Sequence, residues 1–459
     1  MFESVTATSA TVRATVAKER ASHVGHLIEY ILMVILLFCL TLTAYFFAAN
    51  GYIPQPFYYI VDESLMDLYS TAIWAHHKGA YSIWHSVYPP LSFDLLRLVT
   101  NARCYAGDAA MARQCDPLAA VVLCGNCVVN AGLAFWSYRL SDSRTAIPRA
   151  VAVSLGLPML YALERGNLLI PCFTAFVLGA GPLVRSPVWR TVFLAVSVNF
   201  KPYLLAVFLP AVARRDWRWL LGFGAAGLAV YLATFALEGA GTPMQLLTDM
   251  GGYAGGKHDA WWANLYYSTS YWPVVRVLAS HGAFASGFSP GVAAACGFVI
   301  VGAMRLVQLG SLICMLCAIA RPAGVDARRF MALYAALILT TVTNGSSGYT
   351  LIFLFFLIFF EPWRGPVRIA ILLSTYLLCL PVDWAFWPVI GGPAHSFLGG
   401  RDVMVSYGVS VGQILRPGLL LVIQFGLIAL NLQDIWAGAR KPVAPIIAPA
   451  SVAGASPTL

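Results

Sequence analysis

Residues 62–90 read DESLMDLYSTAIWAHHKGAYSIWHSVYPP, which sets Asp62, Glu63 and Asp67 beside His76, His77 and His85. Side chains of these types suit a metal site, a carboxylate pair or a single general base. The histidines lack the i, i+4 spacing of a helical metal pair and no HExxH occurs, so no metal is expected. A single carboxylate needs only reach and a suitable pKa to take a proton. Further along, "ERGN" at 164–167 and "NFKP" at 199–202 add Glu164, Arg165, Asn167 and Lys201; a cation near a base can hold an anionic leaving group. The glycines form neither a P-loop nor a dinucleotide fingerprint, so no nucleotide cofactor is expected. "GGYAGGKHDAWWANLYYS" at 251–268 contributes Trp261, Trp262, Tyr266 and Tyr267, whose flat apolar faces and polar edges suit sugars or a bilayer interface. Each group also has a structural reading: Glu164 and Arg165 as an ion pair, Lys201 snorkelling, Tyr88-Pro89-Pro90 starting a helix, the aromatics forming a belt.

What must position these residues is a set of membrane spans. Charged residues make up 11% of the chain and hydrophobic ones 59%, against roughly 25% and 45 to 50% in a soluble domain. A span takes about 20 mostly apolar residues, and such segments recur from Leu27 to Leu432 with short polar breaks. Open strands cannot satisfy their backbone in lipid, so the expected fold class is an all-α polytopic membrane protein. The net charge of +9 falls in short clusters between apolar runs, which fits positive-inside orientation and not nucleic acid.

A polar cytoplasmic segment at 1–26 leads into an uncleaved first span at 27–49, longer than a signal-peptide core. The basic turns then predict loops on the outer face at about 50–116, 238–290 and 383–409. They also predict about ten spans within a single membrane domain at 27–432, including 117–138, 218–237, 291–320, 329–343, 349–361, 366–382 and 410–432. Two apolar halves of about a dozen residues flank Lys201, which suggests a re-entrant hairpin with that lysine at its tip. The Ala/Pro-rich tail at 433–459 reads as disordered. In the first loop Leu91, Leu95 and Leu98 recur at helical spacing beside Asp94 and Arg97, which predicts an interfacial helix. Cys104 and Cys115 lie in the same polar loop and can pair if it faces an oxidising compartment. On this map the acids, "ERGN", "NFKP" and the aromatic loop all lie toward one face. Ionisable groups at membrane depth are costly and usually face a cavity, so an outward-facing polar cavity is expected.

The order of these motifs resembles a known family. A first span, an acidic outer loop, "LYSTAIWAHHKGAY…VYPPLSF", "ALERGN" and "NFKPYLL…RRDWRW" are similar, over roughly residues 27–360, to the polyprenol-phosphate-sugar-dependent glycosyltransferases of family 87 in the GT-C superfamily. The resemblance implies a multi-helix membrane fold whose first outer loop carries a catalytic Asp. It further implies transfer of a hexose, often mannose, from a polyprenyl-phosphate carrier to a hydroxyl of a glycan or glycolipid acceptor, with inversion, on the outer face of the membrane; the basic turns and the scarcity of polar loops suggest a bacterial inner membrane, with the site on its periplasmic or extracytoplasmic side. The family's acid lies shortly before an alanine- and aromatic-rich helix that ends in glycine. Two positions answer to it here: Asp67, joined to "LYSTA", and Asp62, whose interval to Gly79 is closer to the family's. The residues expected to bind substrate are Lys201, Arg165, Glu164, Asn167, Tyr88, His258 and Asn264. A glycosidase needs a second carboxylate to protonate its leaving group; a lipid phosphate leaves without a proton, so one base and a cation suffice. Lys201 is the expected cation and Arg165 its helper, with no resident metal or cofactor.

Two other classes use the same features. A lipid-linked sugar flippase or transporter would share the spans and the cavity but more naturally shows inverted repeats, which are not visible in this sequence. A non-catalytic membrane partner in polysaccharide assembly would leave the loop acids free to vary.

Overall fold

Apolar runs bounded by proline and by short acidic or hydroxyl caps decide where the helices begin. A computed structural model describes residues 2–58, 60–238, 242–255, 290–342 and 348–438. Its α-helices, in chain order, are α1 (Phe2–Asn50), α2 (Met66–His76), α3 (Pro90–Val99), α4 (Ala109–Cys115), α5 (Pro117–Ser141), α6 (Ala146–Leu155), α7 (Leu157–Arg165), α8 (Leu169–Ala180) and α9 (Pro187–Phe200). There follow α10 (Leu209–Arg214), α11 (Trp217–Glu238), α12 (Pro243–Gly255), α13 (Pro290–Ala320), α14 (Ala327–Leu337), α15 (Leu351–Ile358), α16 (Pro366–Leu378) and α17 (Val411–Ala437). Asp108, Asp116, Ser186 and Asp326 each accept a backbone N–H from the first turn of the helix they precede, satisfying donors that have no partner inside the helix.

The protein is predominantly helical and membrane-embedded. Among the described residues, six helices are long and apolar enough to cross a bilayer: Gly25–Asn50, Pro117–Ser141, Ala146–Arg165, Trp217–Leu237, Ala294–Ala320 and Leu415–Ala437. Shorter apolar helices cover Leu169–Ala180, Pro202–Arg214, Gly348–Ile358 and Pro366–Leu378. α15 is apolar on every side, and all eight of its residues are buried; a helix of that kind belongs inside a bundle. Phe353 and Phe356 meet Phe173 and Phe176 of α8 edge-on, and Tyr138 of α5 leans on Phe356. Two CxxC pairs, Cys124 with Cys127 and Cys314 with Cys317, ride on α5 and α13 with free thiols.

The structure refines the expected fold at four points. The chain is mostly helical, as the expected class has it, with one addition: β1 (Ala385–Ser396) and β2 (Arg401–Ser410) form an antiparallel hairpin across the segment read as a loop at 383–409. Valine and aromatic residues on either side of Leu398-Gly399-Gly400 favour strands, and Gly400 takes the left-handed turn conformation at φ +60°. Pairing between the strands and with the Gln55 amide, which brackets Gly408 from both sides, satisfies the backbone. The tail begins later than 433, because α17 runs to Ala437. The expected first span lies within a longer helix: α1 starts at Phe2, and its apolar part runs Gly25–Asn50. The expected interfacial helix exists as α3, but its buried face is Pro90, Ser92, Phe93 and Leu96, while Leu98 is 84% exposed. It turns that face toward α2 and α11.

Candidate functional site

The loop before α2 and the end of α7 build the centre together. "ERGN" is a helix terminator: Gly166 takes φ +70°, its N–H reaches the Leu163 carbonyl at 3.0 Å, and the Asn167 N–H reaches the Ala162 carbonyl at 2.8 Å. That paired pattern is a Schellman cap, for which glycine is favoured because it carries no Cβ. A Cβ at Gly166 would lie 2.9 Å from both the Leu65 carbonyl oxygen and the Leu68 Cβ, so the α2 entry packs directly on the cap. Leu65 adopts φ +65° and donates its N–H to the Glu164 carbonyl at 2.7 Å.

This arrangement aims two side chains at one carboxylate. Asp67, in the first turn of α2, accepts from Arg165 Nη2 at 2.8 Å on Oδ1 and from Asn167 Nδ2 at 2.8 Å on Oδ2. Asn167 Oδ1 accepts the Leu169 N–H at 3.0 Å, which fixes the amide so that its NH2 faces Asp67. The same Nδ2 lies 3.4 Å from the Tyr88 hydroxyl. The Lys201 ammonium sits 4.3 Å from the centre of the Tyr88 ring, a cation–π contact. Lys201 follows the last residue of α9, where the backbone becomes extended before the 3-10 turn Pro202–Phe208. Among the described residues Lys201 forms no ion pair, and Asp67 is the carboxylate that acts on its charge. Asp67 keeps 22% of its side chain exposed against 12% for Arg165, so one face of the carboxylate stays reachable.

The expected substrate-binding residues divide. Asp67, Arg165, Asn167, Tyr88 and Lys201 converge. Glu164 lies behind them: buried, it accepts the Ser64 hydroxyl at 3.1 Å on Oε1 and so holds the loop. Glu164 and Arg165 do not pair; the Arg165 guanidinium goes instead to Asp67, to Glu63 at 3.5 Å and over the Tyr58 ring at 4.2 Å. Asp62, the alternative base, faces away toward Arg113 at 3.2 Å with 60% of its side chain exposed. His258 and Asn264, with Trp261, Trp262, Tyr266 and Tyr267, lie outside the described residues. His76, His77 and His85 go to Thr100 Oγ1, the Ile73 carbonyl and Asp249 respectively.

Of the supports, the sequence showed one and missed the rest. Cys104 and Cys115 do form a disulfide, with Cα atoms 5.5 Å apart. It ties the 3-10 turn Ala102–Tyr105 to α4. Asp116 accepts the Tyr105 hydroxyl at 3.0 Å, and its carbonyl accepts the Tyr69 hydroxyl of α2 at 2.7 Å. Burial, and next the Asp116 carboxylate, push the Tyr69 hydroxyl up to about 12, so it remains a donor across the neutral range. Arg113 carries no local signal at all, because its partners lie some 50 residues upstream.

No protein-family model matches the sequence, and no curated protein matches it significantly.

Proposed function

We propose that the protein is an integral-membrane glycosyltransferase of the GT-C type that moves a hexose from a polyprenyl-phosphate carrier to an acceptor hydroxyl, with Asp67 as general base. The observation that carries this reading is the convergence of Asp67, Arg165, Asn167, Tyr88 and Lys201 from separate stretches of the chain. Each carboxylate oxygen of Asp67 has two acceptor positions. Arg165 and Asn167 take one on each oxygen, which leaves acceptor capacity for a substrate hydroxyl. The acceptor oxygen attacks the anomeric carbon and its proton passes to Asp67. The bond from the anomeric carbon to the phosphate oxygen breaks with inversion, and its electron pair leaves on the lipid phosphate. Lys201, without a carboxylate partner among the described residues, is suited to the charge that develops there. A metal is not required by this scheme, since the cation is supplied by the chain.

Six apolar helices long enough to cross a bilayer support a multi-pass membrane fold, and the four shorter ones, one of them directly after Lys201, fit the further passes and the hairpin of a fold of about ten spans. The Cys104–Cys115 disulfide supports placing the loop that bears Asp67 on the oxidising, periplasmic side of a bacterial inner membrane.

The test is purified protein offered a panel of polyprenyl-phosphate sugars and a glycan or glycolipid acceptor, with released polyprenyl phosphate measured. Wild type is expected to turn over at least one donor, and Asp67→Asn to lose about two to four orders of magnitude while still binding the carrier lipid. Turnover that survives in Asp67→Asn and disappears in Asp62→Asn moves the base to Asp62. No release with any donor, together with movement of lipid-linked sugar across liposomes, overturns the enzyme reading in favour of transport.

A further inference from the structure

The strap that leads into α2 is gripped from both sides by arginines. Three consecutive carbonyls are taken in alternation: Arg113 Nη1 donates to the Asp62 carbonyl at 2.5 Å and to the Ser64 carbonyl at 2.7 Å, and Arg165 Nη1 donates to the Glu63 carbonyl between them at 3.1 Å. Arg113 Nη2 adds the Asp62 carboxylate at 3.2 Å. Its guanidinium lies over the Phe397 ring at 3.7 Å, at the tip of the β-hairpin, and only 3% of the side chain is exposed. A planar fork with donors on two nitrogens can serve two carbonyls and one carboxylate while stacking on a ring; a lysine cannot do all of this at once.

Arg113 touches none of the converged side chains, yet the strap it holds ends at Leu65, whose left-handed backbone sets the direction in which α2 starts. Asp67 is two residues further on. Arg165 connects the two ends, because one guanidinium holds the middle carbonyl of the strap and the Asp67 carboxylate. The base of Arg113 is itself secured: α4 is pinned two residues later by the Cys104–Cys115 disulfide.

We infer that Arg113 is a positioning residue for Asp67, fixing the 62–65 strap against Arg165 so that the carboxylate meets the acceptor hydroxyl in a reactive orientation. The inference rests on the proposed role of Asp67. Misplacing a reacting group by about 1 Å can cost about a hundredfold in rate. Arg113→Gln is therefore expected to lower kcat for polyprenyl-phosphate release by about ten- to a hundredfold with the donor KM within about twofold of wild type. Arg113→Lys, which keeps a donor and a charge, is expected to recover part of that loss.

Amide hydrogen exchange across residues 62–68 supplies a readout independent of turnover, and it should be faster in both variants. Should Arg113→Gln fail to fold, Phe397→Leu removes the stacking surface and leaves the donors, and faster exchange with a lower kcat is expected there too. Unchanged kcat per folded molecule, or exchange at 62–68 equal to wild type, overturns the inference. If wild type turns over no donor, the glycosyltransferase reading fails, and exchange in Arg113→Lys still decides whether Arg113 holds the strap.

Discussion

Asp67 and Lys201 differ in how tightly the fold commits them. Both oxygens of Asp67 have a fixed donor, so its position is set before any substrate arrives. The Lys201 ammonium lies over the Tyr88 ring and has no carboxylate partner among the described residues. Lys201→Met should therefore cut release of polyprenyl phosphate by about two to three orders of magnitude without lowering the thermal unfolding midpoint, read by fluorescence in detergent. Turnover left intact by that substitution would remove the lysine from the leaving-group side. The sequence put the right residue types in view here, because Glu, Arg, Asn and Lys stand out in apolar surroundings. It did not reveal which of them point inward: Glu164 and Arg165 are adjacent, and one turn of a helical cap sends them to opposite sides of the strap. Nor did it separate Asp67 from Asp62, since that choice depends on Arg113 drawing Asp62 away.

Elements were legible to the extent that one local signal decided them. Proline at the first positions of α3, α5, α7, α9 and α16 marked their starts. The hairpin at 385–410 was hidden by expectation, because a segment between two apolar runs reads as a connection unless its turn is weighed. The α3 helix was read correctly as a helix with its face rotated: leucine spacing pointed to one side, but packing against α2 and α11 chose the side bearing Phe93 and Leu96. That rotation places Asp94 with 14% of its side chain exposed, paired with Arg97 at 3.3 Å on Oδ1. Its other oxygen is buried without a partner among the described residues. Burial raises the Asp94 carboxyl above its usual range, and Arg97 only partly offsets this. A carboxyl whose folded pKa is raised binds its proton more tightly in the folded state. The penalty is then fully present above the folded pKa, is relieved as pH falls through it, and is absent below the unfolded value of about 3.9. Asp94→Asn should accordingly be neutral or stabilising at pH 7, and the difference in unfolding midpoint between variant and wild type should shrink as pH is lowered. A difference that grows on acidification would mean that the Arg97 pair dominates.

At the scale of the whole molecule, the two ends of the bundle are built differently. One end carries buried ionic clusters: Glu29, fully buried in α1, accepts from Arg149, Trp363 and Tyr376. Arg329 and Arg368 share Glu361, with Asp434 completing that network. These join basic turns that recur after successive apolar helices, which is what retention on the cytoplasmic side favours. The other end carries the disulfide and the Asp67 centre. The proposed chemistry requires those ends to face opposite compartments, because a periplasmic acceptor can reach only one of them. Exposed Lys78 and Arg144 mark the two ends. In intact cells, a membrane-impermeant maleimide should label Lys78→Cys directly and Arg144→Cys only after permeabilisation. Cys115, which is exposed, should become labelled from the same side as position 78 once the disulfide is reduced. Labelling of positions 78 and 144 from one side would break the alternation of charge on which the orientation rests. Labelling of 144 alone in intact cells would turn the protein over and put Asp67 in the cytoplasm, where a disulfide does not ordinarily persist and the proposed acceptor is out of reach.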